Sequence, residues 1–259
     1  MESKPRVCVV NFLNTVPLVW GMLHGKQQDT FDLSFCLPAE CADRLQDGRA
    51  DIGIVPAIEL PRQDLLITAD TAIACRGPVR SILLISKVPF GDIRTLAADS
   101  SSRTSVVLAE IVLRRKYDAD PILRAHPPHL DAMLSKCDAA LIIGDPALLI
   151  EPSQLPYRVL DLGQEWTDLT GLPMVFAVWA ARRRYASEPF RDSLRFGMEH
   201  MDEIVESEYA KRSISEELAR EYLTRNVTFD LGPSERAGLD LFLQYAREIH
   251  QTELRTVTA

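Results

Sequence analysis

The chain contains no apolar run of the roughly 18 residues or more that a membrane span needs, and it has no excess of positive charge. Its formal net charge is −8. An acidic protein is a poor partner for polyanions, so nucleic acid and anionic membrane surfaces are disfavoured. A small anionic ligand is not excluded, because a few local donors can hold one against an acidic background. No GxGxxG, P-loop or GxSxG pattern occurs, so the common phosphate-cradle and nucleophile-elbow chemistries lack their motif. There is no CxxC pair. Cys8, Cys36, Cys41, Cys75 and Cys137 are scattered and odd in number, which reads as reduced, buried thiols of a cytosolic protein. His126 and His129 of HPPH stand three apart, but two prolines forbid a regular helical pair and no carboxylate cluster accompanies them. No metal site and no cofactor are therefore expected. The stretch 1–17 is a poor secretory leader, since its apolar part is short and is broken by Asn11 and Asn14, so the expected location is cytoplasmic.

What is present is ordinary for a globular chain: 46% hydrophobic and 25% charged residues over 259 positions, enough for one large core or two smaller ones. Val7 to Val10 reads as a buried parallel strand. Pro17 suits a first helical turn, with Asn14 or Thr15 as its cap. A strand around Phe31 to Cys36, a helix from Pro38 to Gln46 and a strand from Ile52 to Val55 complete a β-α-β-α-β unit. Right-handed crossovers make its sheet parallel and put ligands beyond the carboxyl ends of the strands. Further strands are expected at Leu65 to Ile67, Ile73 to Ala74, Ile82 to Ile85, Thr95 to Ala98, Ala139 to Ile143 and Met174 to Ala180. A helix spans Thr104 to Tyr117. Beyond Arg182 the pattern is helical. Phe190 to Val205 reads as one segment, Ser213 with Glu216 as a capping box for the next, and Glu235 to Ile249 as the last. The expected architecture is α/β with two lobes, a hinge and an interlobe cleft. Lobe one would comprise 1–87 and 174–259, and lobe two 88–173, the chain leaving near Ser86 and returning near Pro173.

Four stretches can carry chemistry. In LNTVP, the amide of Asn14 offers donors and an acceptor at a strand end, to cap a helix or to read a ligand. In DSSSRTSV, Ser101, Ser102, Arg103, Thr104 and Ser105 sit at a helix start, where free N–H groups, hydroxyls and the helix dipole make an anion site; a well-capped helix is the plainer reading. In IIGDPAL, Gly144 permits close backbone approach and Asp145 either caps a βα turn or helps a second cradle. In ACRGPVRSILLIS, Ser81 stands where the chain enters a strand beside the hinge. Trp20, Trp166 and Trp179 read as core or cleft lining.

NFLNTVPLVWG, PAECADRLQDGRADIGIVPAIEL, ACRGPVRSILLIS, DSSSRTSVVLAEIVL, DAALIIGDPAL and DLGQEWTDLTGLPMVFAVWAAR resemble, in this order, the chorismate dehydratases of the futalosine route to menaquinone. The resemblance runs from about Val7 to Arg182. It implies a type II periplasmic-binding-protein-like fold. It also implies a lyase that converts chorismate to 3-[(1-carboxyvinyl)oxy]benzoate and water, with Asn14 and Ser81 at the active site. Two departures stand out. NFLN replaces the commoner SYLN, which removes a tyrosine hydroxyl at Phe12, and Ala74-Cys75 precedes RGPVRS. Ser101, Ser102, Arg103, Thr104, Ser105, Gly144 and Asp145 are the expected substrate-binding residues, since the substrate brings two carboxylates. The competing reading is a solute-binding protein for a small carboxylate, without catalysis. The sequence leaves the oligomeric state open.

Overall fold

The computed structural model describes residues 4–257. The chain begins with β1 (Arg6–Val10), α1 (Val16–His24), β2 (Asp32–Cys36), α2 (Pro38–Gln46), β3 (Ile52–Pro56), the short α3 (Glu59–Gln63) and β4 (Leu66–Cys75). Val7 to Val10 are buried because β1 lies between β2 and β3, parallel to both. The two apolar runs expected at 65–67 and 73–74 are the ends of one strand, β4, whose polar middle (Thr68, Asp70, Thr71) hid its continuity.

After β4 the chain crosses to a second sheet. It runs through β5 (Ile82–Ser86), β6 (Thr95–Asp99), α4 (Thr104–Tyr117), β7 (Ile122–His126), α5 (Leu130–Lys136), β8 (Ala139–Ile143), α6 (Asp145–Leu148), β9 (Arg158–Asp161) and α7 (Leu162–Thr170). Here the expected boundary is corrected. The crossing lies at 76–81 rather than near Ser86, because β5 pairs antiparallel with both β8 and β9. A fully buried strand fits either sheet equally well, so its composition could not say which one it joined.

The return crossing follows Gly171, and β10 (Met174–Ala181) then inserts antiparallel between β3 and β4. The first sheet has the order β11-β4-β10-β3-β1-β2 and the second β7-β6-β8-β5-β9, with β11 at Thr228–Asp230. Each therefore holds a parallel trio beside an antiparallel strand that comes from a crossing. The two halves share this plan with no repeat visible in the sequence.

The C-terminal part runs through α8 (Glu188–Glu199), α9 (Met201–Glu208), α10 (Glu216–Glu221) and α11 (Pro233–Val257). The single segment expected from Phe190 to Val205 breaks at His200, whose ring Nδ1–H donates back to the carbonyl of Phe196 at 2.8 Å. The cap expected at Ser213 lies at Ser215, whose hydroxyl accepts from Leu218 N–H at 3.1 Å. Ser213 instead closes the preceding turn at φ +58. Helix α8 packs on α1 at very close range: a Cβ on Gly197 would lie 2.2 Å from the carbonyl oxygen of Pro17. This seats the C-terminal helices on lobe one. Helix α11 reaches both lobes, with Leu239 in the first core and Phe242 in the second.

The five cysteines are free and buried. Three converge in the first core. Cys8 Sγ lies 3.0 Å from Cys36 Sγ, and Cys41 donates to the Cys8 carbonyl at 3.1 Å. Burial pushes the Cys41 thiol up, so it stays protonated. Trp20, Trp166 and Trp179 are all core residues.

Candidate active site

The carboxyl ends of β1 and β3 face the start of α4 and the end of β8 across a narrow cleft with about 60 Å³ of water-accessible space. Its walls carry Asn14, Ser81, Ser102, Arg103, Thr104, Ser105 and Gly144 among apolar neighbours such as Phe12, Val79 and Phe176. Seven of the nine residues singled out in the sequence thus meet in one space. Ser101 and Asp145 do not line it.

Asn14 is 8% exposed and does not cap α1. Its Nδ2 donates to the hydroxyl of Tyr222 at 2.8 Å, and its Oδ1 accepts from Thr15 at 3.3 Å. Tyr222 in turn donates to Ser81 Oγ at 2.8 Å. The two residues that the motifs single out are therefore joined through a third side chain, 208 positions from the first. Burial pushes the Tyr222 phenol well above its ordinary value, so it acts as a donor and not as a base. Periodicity marks Tyr222 only as one apolar position of a helix, which is why sequence reasoning missed it.

The loop that delivers Ser81 is held under strain. Arg80 adopts φ +66, a region non-glycine residues rarely occupy. It is kept there by the carboxylate of Asp161, which accepts from the N–H groups of Val79 and Arg80 at 3.0 and 2.6 Å while also capping α7. The Arg80 guanidinium donates to the carbonyls of Ala147 and Ile150. Asp161 is a second residue that no local pattern singles out. Its burial pushes its carboxyl up, against the pull of four backbone donors.

At the opposite wall α4 begins with no side-chain cap. Its first-turn N–H groups have no intrahelical acceptors, and the hydroxyls of Ser102 and Ser105 make no hydrogen bond within the described residues. That is an unspent donor set at the positive end of a 14-residue helix. The remaining candidates there are already engaged. Ser101 donates to Asp99 at 2.8 Å. Thr104 Oγ1 accepts from Ile58 N–H of the other lobe at 3.3 Å. The Arg103 guanidinium reaches across to Asp43 and to Glu59, at 2.5 and 3.2 Å, so its charge is neutralised by lobe one.

The turn at Gly144 works by shape. Gly144 has φ +64, and a Cβ there would lie 2.5 Å from the Phe12 ring. Its own N–H is spent on the Ser81 carbonyl at 2.8 Å, so it offers no second anion cradle. Asp145 turns away from the cleft. It accepts from Leu13 N–H at 2.9 Å and faces Arg212 Nε at 3.3 Å, fastening lobe two to lobe one. Ala39 N–H also crosses to the Ser101 carbonyl at 3.2 Å. The lobes are shut on one another.

Among the described residues that line the cleft, Arg103 is the only ionisable one. His126 and His129 lie elsewhere; His126 Nδ1 faces the neighbouring Pro127 carbonyl.

Solved structures share this architecture. One from Archaeoglobus fulgidus superposes with a TM-score of 0.78 at 18% identity, over 97% of this chain and all of that one. The periplasmic aliphatic sulphonate binding protein of Escherichia coli gives 0.62 at 17% identity, over 98% and 89% of the two chains. A Candida albicans protein described as having the generic periplasmic binding protein fold gives 0.61 at 13% identity, over 94% and 90%. The fold is thus of the periplasmic-binding-protein type. In sequence, a chorismate dehydratase of Thermus thermophilus is 30% identical over 255 residues, covering 90% of this chain and 92% of its own. Residues 5–248 match a family model described as menaquinone biosynthesis. With nearly the whole described chain matched, two shut lobes and a donor-lined cleft between them, the protein belongs to the menaquinone biosynthesis family.

Proposed function

We propose that this chain is a chorismate dehydratase, a lyase that removes water from chorismate to give 3-[(1-carboxyvinyl)oxy]benzoate. The reading is supported by the relative from Thermus thermophilus and by a cleft that offers a dianion uncommitted donors. The ring loses a hydroxyl and an adjacent proton, and aromatisation supplies the driving force. The observation that carries the mechanism is the lack of a base: no carboxylate, histidine or lysine is among the residues lining the cleft. The substrate's own enolpyruvyl carboxylate therefore takes the ring proton. The hydroxyl leaves, and proton and hydroxide depart as water. Ser81 and Asn14 orient that carboxylate and stabilise the leaving oxygen. The other carboxylate sits at the start of α4, against Ser102, Ser105 and the first-turn N–H groups. The shut lobes exclude water. Five unpaired thiols fit a reducing compartment, and we place the enzyme in the cytoplasm.

Incubating the purified protein with chorismate and following aromatic absorbance tests this directly. Turnover is expected, and binding without turnover would instead favour a solute-binding role. With no titrating protein base, kcat/KM should be flat from about pH 5.5 to 8.5, where an unperturbed histidine would show its inflection. A folded Asn14→Leu variant should lose about 2.7–4 kcal/mol of transition-state stabilisation, the typical worth of one such donor; full turnover would dismiss the role of Asn14.

A further inference from the structure

The sequence motifs single out Asn14 and Ser81 but give no account of what holds two residues from opposite sides of a hinge in register. The structure places a single hydroxyl between them. Tyr222 is 1% exposed, and its oxygen lies 2.8 Å from both Asn14 Nδ2 and Ser81 Oγ. An amide nitrogen only donates, so the phenol oxygen accepts there and its one proton goes to Ser81. Ser81 Oγ, having accepted a bond from behind, has its own proton left for the cleft that it lines. A hydroxyl that accepts one hydrogen bond is polarised into a better donor of the next.

The backbone around Tyr222 supports a specific placement. Tyr222 to Asn226 form a π-helical turn directly after α10. Such turns are rare and occur often at functional sites. Both ends of this turn grip the same loop. Tyr222 holds Ser81, and Asn226 Nδ2 donates to the carbonyl of Pro78 at 3.2 Å. That loop already carries the left-handed Arg80. Backbone strain of this kind clusters at functional sites, which fits a serine whose direction matters.

We propose that Tyr222 is a positioning residue of the dehydration. Its hydroxyl sets the polarity of the Asn14–Tyr222–Ser81 chain and aims the Ser81 O–H at the substrate. The proposal rests on reading the cleft as a chorismate site, and its test separates the two. In the full-length protein, Tyr222→Phe keeps the ring and removes only the oxygen. Thermal unfolding followed by circular dichroism should remain cooperative. kcat for chorismate should fall by up to about 100-fold, as for a misaimed catalytic group, with KM changed less than about threefold. In a Ser81→Ala background the same substitution should add little, because its effect is exerted through Ser81. Unchanged kcat in Tyr222→Phe, or an equal loss in both backgrounds, overturns the proposal. Should the parent protein show no turnover, the reading of function fails and the geometry is tested without substrate. In ¹⁵N-labelled protein the Asn14 side-chain amide resonances should shift in Tyr222→Phe. Unmoved resonances overturn the proposal whether or not chorismate reacts.

Discussion

Gly144→Ala should damage this protein through two separable costs. The first is in the backbone. Gly144 has φ +64 and ψ −146, a combination open to glycine and strained for alanine by about 1–3 kcal/mol. The second is steric. The new Cβ would lie 2.5, 2.6 and 2.7 Å from three carbons of the Phe12 ring, where carbon pairs rest near 3.5–4.0 Å. The ring must move by about 1 Å, and overpacking of that kind costs about 1–3 kcal/mol. Together these take about 2–6 kcal/mol from a stability that is typically about 5–15 kcal/mol. At about 2–4 °C per kcal/mol, the melting temperature should drop by at least about 4 °C. Thermal unfolding followed by tryptophan fluorescence measures that drop and urea unfolding the loss of free energy, since all three tryptophans are buried. Phe12→Ala supplies the second arm. It removes the ring and with it the steric part, so in that background Gly144→Ala should cost only the backbone share, about 1–3 kcal/mol. A parent-like midpoint for Gly144→Ala refutes the strain argument. Equal costs in both backgrounds refute the clash with Phe12.

Two further outcomes are expected. Ser105→Ala removes a hydroxyl without a partner in the protein, so stability should stay within about 0.5 kcal/mol while KM for chorismate rises about tenfold or more, as for a charge-assisted hydrogen bond of about 1.5–3 kcal/mol. Ser101→Ala is the contrasting control: it breaks the bond to Asp99 and should cost about 1 kcal/mol of stability with KM unmoved. The remaining one concerns acid. Hydrogen bonding to the Arg6 guanidinium holds the Asp51 carboxyl below its ordinary range. A depressed folded value means that this stabilisation is present above the unfolded pKa, near about 4, and is lost as pH falls through the folded one. Asp99, Asp145 and Asp161, pushed up by burial, run the other way and favour the fold as pH falls. Asp51→Asn should therefore flatten the loss of stability below about pH 4 in urea titrations. An acid limb as steep as the parent's would remove Asp51 from that account.

Local physics made much of the molecule legible. Helices α2 and α4 and strand β8 begin and end where their spacing and apolar runs put them, because those signals are contained within one element. The same holds for the donor-rich start of α4, where serine and threonine flank a helix N-terminus. Elements of mixed polarity were not legible. β7 is half-exposed, β9 is short, and α7 is capped by an aspartate whose burial no window of sequence reveals. Cys8, Cys36 and Cys41 looked scattered because their convergence depends on strand pairing.

By itself the sequence determined the α/β alternation, the acidic character that disfavours polyanions, and which strand ends carry amides and hydroxyls. Those properties follow from side-chain chemistry and from periods of two and 3.6 residues. Only the tertiary structure decided that β5 belongs to the second sheet, that Asp145 fastens the lobes instead of facing a ligand, and that Tyr222 stands between Asn14 and Ser81. The reason is that a hydrogen bond is set by direction and by distances of a few ångströms. Residues 208 positions apart acquire these only when the sheets and helices between them have packed.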